Sequence, residues 1–138
     1  MTQLVEGWSF YMTPISVLGA TTSTRNSFTF LMTLQSLSLS AFYRHRKIKP
    51  LLSYIGTATL MLIAIYDIAD YPLWHNLFAC IFFIVQPIIF FLEYRKKRDT
   101  YSLVKFAALL TLIILVTMGI IPIPIFEFIS YALLIVFI

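Results

Sequence analysis

The fold this sequence predicts is an all-α, polytopic membrane helix bundle of four to five transmembrane helices, and three observations predict it. The 138-residue chain is 60% hydrophobic and only 12% charged, where soluble domains carry about 25% charged residues. Its apolar residues fall into runs close to the roughly 20 residues that a helix needs to cross about 30 Å of hydrocarbon. Its basic residues gather in two short clusters, Arg44-His-Arg-Lys-Ile-Lys49 and Arg95-Lys-Lys-Arg98, each closing an apolar run. Nothing resembling a soluble module remains beside these runs, so residues 1–138 read as one integral membrane domain.

The elements follow in order. Residues 1–25 are apolar enough to touch lipid but are broken by Gly7, Pro14, Gly19 and Thr21-Thr-Ser-Thr24, which predicts an interfacial or re-entrant segment. Its opening, Met-Thr-Gln-Leu-Val-Glu, has no basic n-region and no small-x-small cleavage site, so a cleaved secretory signal is not expected. A first span is expected over 26–43, stopped by the first basic cluster. A second covers 50–69, with Pro50 at the helix start, where its missing N–H has no intrahelical role. A third covers 71–94. Pro87 within it removes one backbone bond and crowds the Phe83 carbonyl, which predicts a kink. A fourth covers 101–121, and a fifth, over 122–138, is short at 1.5 Å rise per residue and calls for tilt or a supporting partner.

The two basic clusters flank a two-span hairpin and therefore share one side of the membrane. Nine of the ten Lys and Arg residues fall there, so that side is expected to be the cytoplasm of a cell (inner) membrane, with the N-terminus outside. Trp8, Tyr71 and Trp74 suit the outer interface, and Tyr43, Tyr94 and Tyr101 the inner one.

Between the second and third spans lies Asp67-Ile-Ala-Asp70-Tyr-Pro-Leu-Trp-His75, which holds two of the six carboxylates and one of the two histidines. Asp67 and Asp70, three residues apart, would share one face of a continuing helix. Tyr71 precedes Pro72, however, which biases it out of the α region and breaks the helix there. Asp70 would then cap the following helix, with Pro72 in its first turn. The stretch is either a capped, solvated hairpin tip or a polar site, because ionisable groups at membrane depth are costly and mark function. As a binding site it would comprise Asp67, Asp70 and His75 with Glu127 and Glu6. A zinc site needs three protein ligands and an open position, and one histidine with scattered carboxylates meets that poorly, since His45 lies in the opposite loop. No metal, catalytic group or cofactor is expected. The single Cys80 excludes an internal disulfide, and no Gly-rich phosphate loop or nucleophile elbow is present.

Thr29, Thr33, Ser36 and Ser40 trace one face of the first span, with Ser53, Thr57 and Ala64 a weaker stripe on the second. Small hydroxylated faces let helices approach closely, so Thr33, Ser36 and Ser40 are expected to pack, with Gln35 and Gln86 as interhelical links. Lys105, one turn into the fourth span, would snorkel to the inner face. Arg44, Arg46, Lys47, Lys49, Arg95, Lys96, Lys97 and Arg98 set orientation and can also contact anionic headgroups. Nucleic acid is not an expected partner, because no aromatic-interleaved basic surface exists.

Two short motifs carry a resemblance. Ile15-Ser-Val-Leu-Gly-Ala20 precedes the first span, and His75-Asn-Leu-Phe-Ala79, followed by Phe82-Phe83, opens the third. In this order of parts, over about residues 9 to 95, the chain resembles the damage-regulated autophagy modulator superfamily and its prokaryotic uncharacterised membrane relatives, shortened by the first span. The resemblance implies a membrane helix bundle with a regulatory or accessory role and supplies no catalytic residues.

The function these readings converge on is a non-catalytic accessory or structural subunit of a larger membrane assembly, with membrane lipids and other membrane subunits or a second copy as partners. The alternatives are a lipid or small-molecule binding or transport module, and a membrane-embedded metal-dependent hydrolase.

Overall fold

A computed structural model describes residues 24–135 of the chain. The described residues form five helices and no strand: α1 (Arg25–His45), α2 (Pro50–Ile65), α3 (Pro72–Lys97), α4 (Thr100–Thr117) and α5 (Ile123–Ile135). The interfacial or re-entrant segment expected over 1–25 lies almost wholly outside the described residues, as do Glu6 and Ile15-Ser-Val-Leu-Gly-Ala20.

Helix α1 buries Phe28, Met32, Ser36, Leu39 and Tyr43, a spacing of three and four residues that places them on one face. It stops in a Schellman turn: the Ile48 amide donates to the Tyr43 carbonyl at 3.0 Å and the Lys47 amide to the Arg44 carbonyl at 3.1 Å. Lys47 takes the left-handed conformation, φ 54°, that this turn usually gives to glycine. Pro50 then opens α2. The span expected over 50–69 is helical only to Ile65, because Asp67 organises the next residues into a turn of its own. Residues 66–71 reverse the chain, and Pro72 begins α3.

Helix α3 is the central element. It packs on α2 and α4, while α1 packs on α2 and α5 on α4. Pro87 lies inside α3 without ending it. Phe82 and Phe83 carry α5 through ring contacts with Phe126 and Tyr131 at 4.7–6.3 Å. Asp99 caps α4 and ends the short turn from α3. A second Schellman turn closes α4, with Gly119 at φ 70° and the Ile120 amide donating to the Leu115 carbonyl at 2.9 Å. Pro124 sits in the first turn of α5, and Glu127 follows that turn. The bundle thus has two ends: a hinge end, with the 66–71 and 118–122 turns, and a basic end, with the 46–49 and 98–99 turns.

Two of these helices, α3 and α4, are long and apolar enough to cross a membrane, and α2 and α5 are shorter apolar helices. The core is mainly apolar, yet it also encloses polar and charged side chains while many large apolar ones are exposed. Ser36, Gln86, Ser102 and Ser130 are fully buried and Glu93, Lys105 and His75 nearly so, while Phe30, Leu37, Leu51, Ile65, Leu73, Val104 and Met118 are exposed.

Candidate functional site

Of the residues that the sequence singles out, the hinge end holds Asp67, Asp70 and His75. Asp67 is buried and accepts the amides of Ala69 at 3.0 Å and Asp70 at 2.8 Å through Oδ1. Its Oδ2 lies 3.1 Å from the Arg25 guanidinium, which also lies 3.3 Å from Asp70 Oδ2. One cation from the start of α1 therefore clasps two carboxylates of the α2–α3 turn. The expectation that Asp70 caps α3 is corrected: the N-cap is Tyr71, with no side-chain cap bond, and Asp67 caps the turn instead. His75 is buried one turn into α3, and its Nδ1 lies 2.8 Å from the Tyr66 carbonyl. A carbonyl can only accept, so Nδ1 carries the proton in this arrangement. The rings of Tyr66, Tyr71, Trp74 and Phe78 contact one another, with centroids 5.5–6.4 Å apart.

These contacts define what the hinge can do. Its carboxylates are spent on a guanidinium and on turn amides, which is the chemistry of a clasp. Among the described residues no three of the His, Cys, Asp and Glu side chains gather where they could hold a metal ion. The polar bonds of Asp67, Asp70 and His75 run to Arg25, Ala69, Asp70 and Tyr66, and none runs to Glu127 on α5.

The packing stripe on α1 is brought against α2 in part. Ser36 donates to the Thr57 carbonyl at 3.1 Å and Thr29 to the Ala64 carbonyl at 3.4 Å. Thr33 bonds within its own helix at 2.8 Å. Ser40 lines an open groove with Leu37, Ala41, Arg44 and His45. Deeper in, Tyr43 donates to Gln86 Oε1 at 2.5 Å, tying α1 to α3 across Gly56 of α2. Gln86 thus forms the interhelical link expected of it, while its Nε2 has no partner within the described residues.

The basic end holds a second polar cluster, centred on a residue that the sequence reading passes over. Glu93 has a side chain 2% exposed, and its Oε1 pairs with Arg46 Nε at 3.1 Å and Lys97 Nζ at 3.0 Å. Its Oε2 is buried without a hydrogen-bond partner among the described residues. The Arg46 guanidinium lies over the Phe42 and Tyr101 rings, 5.6 and 5.7 Å from their centres. Lys105 does not snorkel, which corrects the expectation: it is buried, with its ammonium 4.7 Å from the centre of the Phe90 ring and 4.8 Å from that of Tyr101. Those faces replace part of the hydration a buried ammonium loses. Asp99 completes the cluster, accepting the Ser102 amide at 2.8 Å and hydroxyl at 3.0 Å. Desolvation is the largest single influence and pushes its carboxyl up, but the two Ser102 bonds and the charges of Arg46 and Lys97 together outweigh it and hold the carboxyl below its ordinary value. The remaining basic residues, Arg44, Lys47, Lys49, Arg95, Lys96 and Arg98, are exposed around the cluster.

One signal for Glu93 lies in the sequence: a carboxylate inside an apolar run, four residues before Lys97, the favourable orientation for a helical ion pair. Its partnership with Arg46 has no such signal.

Comparison of the chain with protein-family models, with curated proteins and with solved structures finds no match.

Proposed function

We propose that the chain is a polytopic membrane protein whose helices cross the bilayer, with its basic end at the cytoplasmic face, and that it serves as a non-catalytic accessory or structural subunit of a membrane assembly. The observation that carries this reading is that large apolar side chains are exposed on every helix from α1 to α5, while His75, Glu93 and Lys105 of α3 and α4 are buried against partners. Outward apolar area of this extent needs lipid or protein around it. The pairing of Asp67 and Asp70 with Arg25 supports a holding role for the hinge and weighs against a hydrolase centred there.

The test begins with alkaline carbonate extraction of native membranes, followed by purification in mild detergent. Retention in the pellet and co-purification with other membrane proteins or a second copy is the expected result. Release into the supernatant overturns the membrane reading, and a lone monomer overturns the accessory reading. Reporter fusions after Lys49 and after Asp70 give the orientation: the first is expected inside and the second outside.

A further inference from the structure

We propose that Arg46, with Lys97 beside it, forms a defined seat for the phosphate of an acidic phospholipid at the basic end of the bundle. The inference rests on the membrane reading above and adds to it a specific headgroup and a specific side chain.

Arg46 is positioned more firmly than the other basic residues. Glu93 pairs with its Nε at 3.1 Å, and its guanidinium carbon lies 5.6 and 5.7 Å from the centres of the Phe42 and Tyr101 rings. Its two terminal amino groups make no bond within the described residues and are not among the buried atoms, so the outer edge of the guanidinium is presented with its orientation already set. A guanidinium edge matches two oxygens of one phosphate, and prior ordering lowers the cost of binding it. Lys97 pairs with the same Glu93 oxygen and is still 35% exposed, which adds a second cation to the cluster. Glu93 and Asp99 are the carboxylates near Arg46, Lys97 and Lys105, so the cluster keeps an excess of positive charge. The site lies where α1 ends, α3 ends and α4 begins, which in a bilayer is headgroup depth. Arg44, Lys47, Lys49, Arg95, Lys96 and Arg98 surround it and favour an anion from the membrane surface.

Diffuse attraction follows charge, whereas a guanidinium seat follows geometry, so a charge-conserving substitution separates them. The full-length protein in nanodiscs of phosphatidylcholine with one-fifth phosphatidic acid is released into native mass spectrometry. The expected result is one phosphatidic acid retained per chain, with retention falling about tenfold in Arg46→Lys and staying unchanged in Thr117→Ala at the opposite end of the bundle. Equal retention in wild type and Arg46→Lys overturns the proposal. So does the absence of retained phosphatidic acid from the wild-type protein, which keeps the test decisive if Arg46→Lys folds poorly. Inorganic phosphate at millimolar concentration is expected not to displace the lipid, and displacement would overturn the lipid assignment in favour of a soluble phosphate. Failure of the chain to co-float with vesicles sinks the membrane reading itself, while co-flotation without headgroup selectivity sinks only the seat.

Discussion

Glu93 on α3 holds Arg46 at the end of α1 through a single carboxylate oxygen at 3.1 Å, with its own side chain only 2% exposed. Arg46→Met would leave a buried carboxylate with Lys97 alone, and removing one partner of a buried pair is expected to destabilise by about 3 kcal/mol. Glu93→Gln leaves two cations that still reach solvent, and the expected loss is smaller, about 1–2 kcal/mol. Denaturant unfolding in detergent micelles measures both. Equal losses would show that the burial of Glu93 does not set the cost.

Gly56 lies where three helices meet. A Cβ added there would stand 3.0 Å from Tyr43 Oη, 3.2 Å from Tyr43 Cε2 and 3.3 Å from Gln86 Nε2. Gly56→Ala is expected to destabilise by about 1–3 kcal/mol, the usual range for overpacking. In a Tyr43→Phe background the nearest atom is gone, so the same substitution should cost less. A double-mutant cycle reads the coupling, and strict additivity would place the strain elsewhere.

The two hinge carboxylates share Arg25 unequally. The Asp67 side chain is 9% exposed and also caps two amides, while that of Asp70 is 57% exposed. Asp67→Ala is therefore expected to cost about 2–3 kcal/mol through lost charged hydrogen bonds. Asp70→Ala should cost under about 1 kcal/mol, as exposed ion pairs do. Thermal denaturation of the two variants gives the order directly, and a reversed order would contradict the clasp.

Asp99 makes stability at the basic end depend on pH. Its folded-state carboxyl is held below its unfolded value, so its contribution is complete above about pH 4 and disappears as pH falls through the folded value. Asn caps a helix about as well as Asp but carries no charge. The stability difference between wild type and Asp99→Asn should therefore shrink toward zero on acidification. A difference independent of pH would mean that Arg46 and Lys97 do not act on this carboxyl. Asp99→Ala removes the cap itself, at about 1 kcal/mol.

Lys47 and Gly119 occupy the same place in two Schellman turns, at φ 54° and φ 70°. Left-handed backbone costs a residue with a Cβ about 1 kcal/mol. Lys47→Gly should therefore stabilise the protein by about that amount and Gly119→Ala destabilise it similarly, both read from unfolding midpoints. No gain in Lys47→Gly would mean that the lysine side chain offsets its own backbone strain.

Several boundaries were legible because they depend on neighbours in the chain. Pro50 and Pro72 open helices α2 and α3 at the expected positions, and the two basic clusters end α1 and α3. The end of α2 was less legible. Periodicity carried the helix to residue 69, but the Asp67 carboxylate bonds the amides of Ala69 and Asp70 and ends it at Ile65. A local side-chain bond competes with the helix there, and apolar periodicity does not register it. Asp67, Asp70 and His75 were visible as candidates, whereas their commitment to Arg25 and Tyr66 was not.

By itself the sequence determined the helical class, the order of the elements, the polar hinge and the basic character of the opposite end, because each follows from hydropathy, proline placement and charge clustering along the chain. Only the tertiary structure decided which charges meet. Arg25 reaches Asp67 and Asp70, Arg46 reaches Glu93, and Lys105 turns inward to the Phe90 and Tyr101 rings. The reason is physical: a charge leaving water must find its partner wherever packing brings one close, and that partner lies on another helix.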